Sequence, residues 1–82
     1  AEIVYTDHFG NAMTGLRAQS LGPQARLTVG GKALIRARTF SDVPKGTAFW
    51  YENANGLAEI AVNGGPPVAE LGLSIGMDVE VT

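Results

Sequence analysis

The stretch A-R-L-T-V-G-G-K-A-L-I-R-A-R, Ala25 to Arg38, decides the fold. Ala25, Leu27 and Val29 alternate with Arg26 and Thr28, the two-residue period of a half-buried strand. Gly30-Gly31 follows as a two-residue loop in which both positions tolerate positive φ, the tight hairpin turn. The alternation then resumes. Ala33, Ile35 and Ala37 share one face of a strand over 32–39, and Lys32, Arg36 and Arg38 share the other.

The same grammar extends outward in both directions. Residues 2–6 read as a strand with Ile3 and Tyr5 on one face, and Gly10-Asn11 reads as a turn. Residues 47–51 and 57–62 read as two more strands around Asn53-Ala54-Asn55-Gly56. Residues 77–82 point Met77, Val79 and Val81 inward and Asp78, Glu80 and Thr82 outward. Residues 41–46 form a connecting turn. The single helical candidate is Pro67–Leu71, with proline suited to a first turn and Gly72 to the position just past the end. About seven short strands and one helical turn predict an all-β domain, a small closed or nearly closed barrel. Closure also hides the strand edges of so small a chain. Phe49, Trp50 and Tyr51 are consecutive, so either Trp50 or the pair Phe49 and Tyr51 is expected to face outward or cover an interface.

With 82 residues the chain is one domain spanning 1–82. It contains no cysteine and one histidine, which removes disulfides and thiolate metal sites and leaves little for a zinc centre. No apolar run approaches the roughly 18 residues of a membrane span. The chain opens on Ala1-Glu2 without a basic leader and already in a strand-like pattern, so a cytoplasmic protein and a piece of a longer one are expected. The charge is divided unevenly. Residues 1–45 carry all six basic residues and three acids, a net of +3, whereas residues 46–82 carry five acids and no base. Arg26, Arg36 and Arg38 make at most a short basic stripe, diluted by the acidic half, so nucleic acid is not an expected partner.

The chemistry-bearing residues favour binding over catalysis. In T-D-H-F-G-N-A-M, Thr6 to Met13, His8 has no ordered partner for a nucleophile–base arrangement. Asp7 beside it in the chain points the other way if the strand continues. Gly64-Gly65-Pro66-Pro67 lacks the Lys-Ser/Thr of a phosphate loop. No catalytic residue and no metal ligand is therefore assigned. Asp7 and Asn11 flank a turn; they either cap it or offer an anionic acceptor and an amide to a ligand. Phe40, if the alternation of 32–39 continues, falls with Arg36 and Arg38. There it is either folded under a turn or offered for stacking.

Four segments together resemble a known family: D-H-F-G-N at 7–11, T-F-S-D-V-P-K-G at 39–46, N-G-L-A-E-I-A-V-N-G-G at 55–65 and the closing L-G-L-S-I-G-M-D-V-E-V. In this order and spacing they look like the C-terminal domain of the S-adenosylmethionine hydrolases, also called S-adenosyl-L-methionine hydroxide adenosyltransferases, relatives of the fluorinases and chlorinases. The resemblance implies a larger N-terminal α/β domain and a homotrimer. It also implies S-adenosylmethionine as substrate, with no cofactor, held between the N-terminal domain of one subunit and the barrel of its neighbour. Asp7 then matches the carboxylate that takes the methionine ammonium, and Asn11 the amide that reads the adenine edge. Phe40 matches the aromatic that stacks on adenine, and Val62 and Gly64 match positions whose backbone meets it. Ala54 and Asn55 match the turn that holds the methionine carboxylate, with Ala54 where a serine is common. Met13 stands where fluorinases carry tryptophan, which favours hydrolysis over halide chemistry. Without the N-terminal domain the chain alone is expected to be inactive.

A second reading comes from the residues without the resemblance. In it the chain is a stand-alone assembly module, Asp7 and Asn11 cap their own turn, and the Phe49–Tyr51 aromatics form the contact surface.

Overall fold

The computed structural model describes residues 1–6, 10–38, 42–64 and 72–82. Seven strands lie along it: β1 (Ile3–Thr6), β2 (Ala12–Arg17), β3 (Leu27–Val29), β4 (Lys32–Arg36), β5 (Ala48–Glu52), β6 (Leu57–Val62) and β7 (Glu80–Val81). They form one sheet in the order β1-β2-β6-β5-β4-β3-β7. All pairings are antiparallel except β4 with β5, where Ile35 sits opposite Phe49 and Arg36 opposite Trp50. A parallel pair cannot be joined by a tight hairpin turn.

The sheet curls until its two edges meet on one segment. Residues 76–79 bond to β1: Ile3 N–H donates to Met77 O (2.9 Å), Val79 N–H to Ala1 O (2.8 Å) and Gly76 N–H to Ile3 O (2.8 Å). A bridge pairs Glu2 with Asp78. Directly after this segment, β7 pairs with β3, and Arg26 and Thr82 exchange backbone hydrogen bonds. The C-terminal segment is thus shared between both edges, and the all-β, nearly closed barrel expected from the sequence is what forms.

The Gly30-Gly31 loop is a two-residue hairpin turn with both glycines at positive φ (58° and 78°) and Val29 opposite Lys32. Gly30 has a second reason to lack a side chain, because a Cβ there would come within 3.1 Å of Leu73 Cδ2. This register corrects the expected orientation of β4. Residues directly opposite each other share a face, and Leu34 lies opposite the buried Leu27. Leu34 is therefore in the core, while Ile35 is 46% exposed. Two further strands depart from simple alternation. Between Ile3 and Tyr5 the β1–β2 register slips, with Ile3 opposite Thr14 and Tyr5 opposite Met13. That bulge re-aims the strand and leaves Tyr5 exposed while Ile3 is fully buried. In 77–82, Val79 is buried and Met77 packs on the core, but Val81 is exposed.

The barrel interior holds Ile3, Leu27, Val29, Leu34, Trp50, Ile60, Leu73 and Val79 among others. Trp50 is fully buried. Its indole N–H donates to Ala25 O (3.0 Å), and the Arg36 guanidinium lies over its ring, 4.8 Å from the centroid. Thr14, also buried, is satisfied by donating to Ala58 O (2.8 Å) and accepting from Leu16 N–H (3.2 Å).

A smaller cluster sits on the opposite face of the same sheet: Ala37, Val43, Phe49 and Ala61, with Tyr51 packed against it. Val43, in the connection from β4 to β5, packs on this face, and Asn63 Nδ2 pins it by donating to Val43 O (2.8 Å). Burial on both faces resolves the Phe49–Trp50–Tyr51 question differently from expectation. Trp50 points into the barrel and Phe49 into the outer cluster, and both are buried. The aromatic contact surface of the assembly-module reading is consequently not available. A 3-10 turn spans Ala18–Ser20. The helical turn expected at Pro67–Leu71 lies outside the described residues.

Candidate functional site

The outer face of β2, β6 and β5 carries a polar cluster centred on Glu59. β6 places Glu59 opposite Tyr51 on one side and opposite Met13 on the other. Its carboxylate is buried yet fully engaged. Tyr51 O–H donates to Oε2 at 2.6 Å and Asn11 Nδ2 donates to the same oxygen at 3.1 Å. Asn53 Nδ2 donates to Oε1 at 3.0 Å. Three donors on one buried carboxylate are what burial of a charge requires. Tyr51 in turn packs its ring against Phe49, centroids 5.9 Å apart.

Asn53 also builds the β5–β6 turn. Its side-chain oxygen accepts from Asn55 N–H (2.9 Å) and Leu57 N–H (3.0 Å). Its backbone oxygen accepts from Gly56 N–H (2.9 Å), and Gly56 takes the left-handed conformation, φ 78°. The turn cap is therefore Asn53. Ala54 and Asn55 are exposed at its tip, and Asn55 offers its side chain, since its own N–H is held by Asn53.

The other assigned residues lie at the far end of β6. Asn11 precedes β2, and the pairing of Ala12 with Ile60 brings it level with the end of β6. Val62 packs its side chain toward the barrel core, so the backbone is what it can show a ligand. Gly64 has φ 60°, and a Cβ there would meet the Lys45 stem at 3.3 Å. Position 64 thus needs glycine twice, for its conformation and for the lysine lying across it. Asp7, His8 and Phe40 lie outside the described residues. The argument that placed Phe40 by alternation loses its footing, because β4 ends at Arg36.

The structure thus brings Asn11, Val62 and Gly64 to one end of β6 and Ala54 and Asn55 to the other, with Glu59 between. Sequence reasoning missed Glu59, Tyr51, Asn53 and Lys45. Glu59 had one signal: it is the charged residue inside the otherwise apolar run L-A-E-I-A-V. A cleft of about 570 Å³ lies elsewhere, between residues 23–26, Ile35, Arg36 and Thr82. A site carried on an open sheet face does not register as a cavity until a second surface closes it, so the face and not the cleft is the better candidate. Among the described residues no cluster of three or more His, Cys, Asp and Glu comes together to hold a metal ion.

The domain is a nearly closed β-barrel with a polar cluster on its outer sheet face. The chain belongs to the family described as SAM hydroxide adenosyltransferase C-terminal domain, whose profile matches residues 1–80. It is similar to the (R)-S-adenosyl-L-methionine hydrolase of Thermus thermophilus, 40% identical over 80 residues that make up 98% of this chain and 31% of the relative. The enzyme of the same description from Salinispora arenicola is 39% identical over 85 residues, 100% of this chain and 32% of the relative. In solved structures the fold resembles a conserved hypothetical protein from Thermus thermophilus (TM-score 0.86, 40% identity, 99% of this chain and 34% of that one). It also resembles an uncharacterized conserved protein from Thermotoga maritima (TM-score 0.81, 29% identity, 99% and 35%). The chain spans about a third of the length of these relatives.

Proposed function

We propose that this barrel is the substrate-binding C-terminal domain of an enzyme that hydrolyses S-adenosylmethionine to adenosine and L-methionine. The observation that carries the reading is the disposition of the assigned residues along β6. The adenine group, Asn11, Val62 and Gly64, lies at one end and the methionine-carboxylate group, Ala54 and Asn55, at the other. The six residues of β6, roughly 17–20 Å long, separate the Val62–Gly64 end from the Ala54–Asn55 turn, and the Asn11 amide reaches back to Glu59 between them. Asp7 takes the methionine ammonium through a charge-assisted bond, and Phe40 stacks on the adenine.

The barrel contributes half of a site. An N-terminal α/β domain of the neighbouring subunit in a homotrimer supplies the other half, including the groups that aim water at the ribose carbon next to sulfur. Binding both ends of the ligand through the barrel leaves the reacting carbon to the facing domain, and orientation of this kind is itself a large part of catalysis.

Supplied with S-adenosylmethionine, the full-length protein should yield adenosine and methionine, and the 82-residue chain alone should yield neither, as chromatography of the products will tell. Turnover by the isolated chain, or none by the full-length protein, contradicts the proposal. In the full-length protein Asp7→Ala should weaken substrate binding by roughly 1.5–3 kcal/mol, the cost of a lost charged hydrogen bond. A change within about twofold removes the role given to Asp7.

A further inference from the structure

We infer that Arg38 is a further substrate-binding residue, whose guanidinium takes the carboxylate of the methionine moiety beside the β5–β6 turn. The inference rests on the reading of Ala54 and Asn55 as the carboxylate end of the site. It is carried by the donors that the turn has already used and by the cation that stands next to it.

A carboxylate leaving water needs hydrogen-bond donors, charged ones above all. The turn has few to give. Asn55 N–H and Leu57 N–H both donate to Asn53 Oδ1 (2.9 and 3.0 Å), and Gly56 N–H donates to Asn53 O (2.9 Å). Asn53 Nδ2 is turned to Glu59 Oε1 (3.0 Å). Ala54 carries no hydroxyl. What the turn itself offers is the Ala54 N–H and the Asn55 side-chain amide, both uncharged, against a full negative charge.

A cleft of about 400 Å³ adjoins the turn, lined by Arg36, Ala37, Arg38, Glu52 and Asn53. Its two arginines differ. Arg36 is committed: its guanidinium lies over the Trp50 ring, 4.8 Å from the centroid, and its Nη2 is 3.5 Å from Glu52 Oε1. That pairing also offsets the charge of the acid in the cleft. Arg38 has a fixed backbone and an open head. Its N–H donates to Asp42 Oδ2 (3.0 Å), whereas its side chain is 93% exposed and approaches the same oxygen through Nε at 3.8 Å. That is beyond hydrogen-bond distance. A guanidinium fork matches both oxygens of a carboxylate at once, and Arg38 shares its cleft with the residue that caps the turn.

The test is calorimetric binding, by the full-length protein, of S-adenosyl-L-homocysteine and of its decarboxylated analogue. The two differ by the carboxylate alone, and their neutral sulfur is a poor leaving group, so neither is consumed. The wild type should bind the carboxylated ligand at least roughly tenfold tighter, the scale of one charge-assisted hydrogen bond. Arg38→Ala should bring the two within about twofold, by weakening the carboxylated ligand and leaving the other unchanged. Arg26 is exposed in the cleft that it lines with Arg36. Arg26→Ala removes the same charge and should keep the wild-type difference. A difference that survives Arg38→Ala, that Arg26→Ala narrows as much, or that the wild type lacks overturns the inference. Absence of binding of either ligand by the wild type instead overturns the reading of the site, and this inference with it. Arg38→Ala leaves the fold in place, because the side chain is exposed and the backbone bond to Asp42 does not depend on it.

Discussion

A Trp50→Ala variant should be largely unfolded at 37 °C. Trp50 is fully buried at the middle of β5 and joins three parts of the barrel. Its ring packs with the interior residues of β6 and β3, its N–H holds the Ala25 carbonyl of the segment before β3, and its face supports the Arg36 guanidinium. Truncation of a buried tryptophan costs about 3–5 kcal/mol, and the abandoned Ala25 carbonyl adds about 1–3 kcal/mol. A domain of this length has a total stability of roughly 4–12 kcal/mol, so the loss takes about half of it or more. Trp50 is the only tryptophan, which rules out intrinsic tryptophan fluorescence as the readout. Urea titration followed by far-UV circular dichroism measures it instead. A loss below about 2 kcal/mol would show that the interior re-forms without the indole. Trp50→Phe separates the two contributions, because it keeps most of the buried area and gives up only the hydrogen bond.

Deletion of residues 76–82 is expected to have the second large effect, loss of cooperative unfolding together with self-association. The segment supplies three backbone hydrogen bonds to the β1 side and two through Thr82 to Arg26, besides the β3–β7 pairing. At about 0.5–1.5 kcal/mol net each, those five alone amount to roughly 2.5–7 kcal/mol, before the burial of Val79 is counted. What remains is a sheet with two open edges, and open edges pair with other chains. Thermal melting by circular dichroism and light scattering test this together. A sharp transition near the parent midpoint and a monomeric scattering mass would mean that the edges are covered some other way.

Much of this architecture was legible in the sequence, and the misreadings have specific causes. Gly30-Gly31 announced its hairpin, and the alternation of 25–29 named Leu27 and Val29 as core. The two-residue loop that fixed Val29 opposite Lys32 also implied Leu34 opposite Leu27. Reading the second arm by its own alternation, apart from its partner, chose Ile35 instead. Phe49 and Trp50 could not both be buried on a one-sided sheet. Ala37 and Val43, on the connection from β4 to β5, make the sheet two-sided, and the parallel pairing that requires this connection leaves no periodic trace in either strand. The bulge that exposes Tyr5 has no sequence signal beyond an unremarkable Ile-Val-Tyr. At the candidate site, Asn11 was singled out from its turn and from the family resemblance. Glu59 was passed over as one more charged residue in a strand, because its donors come from positions 6, 8 and 48 residues away in the chain.

Closure of the barrel by 76–82 has a consequence for how the chain folds. The β3–β4 and β5–β6 hairpins bring together residues only a few positions apart, and such elements form in about 1–10 μs. Pairing of Ile3 with Met77 joins the two extremes of the sequence, and the entropy of that loop is lost before any contact offsets it. The high mean separation of its contacts places the domain among slow, millisecond-to-second folders. Docking of the C-terminal segment between β1 and β3 is therefore expected to come last. Until then two edges and the interior lie open, so this interval is when a chaperone has most to gain from holding the chain. Stopped-flow refolding should show it: substitutions at Val79 should change the unfolding rate far more than the folding rate.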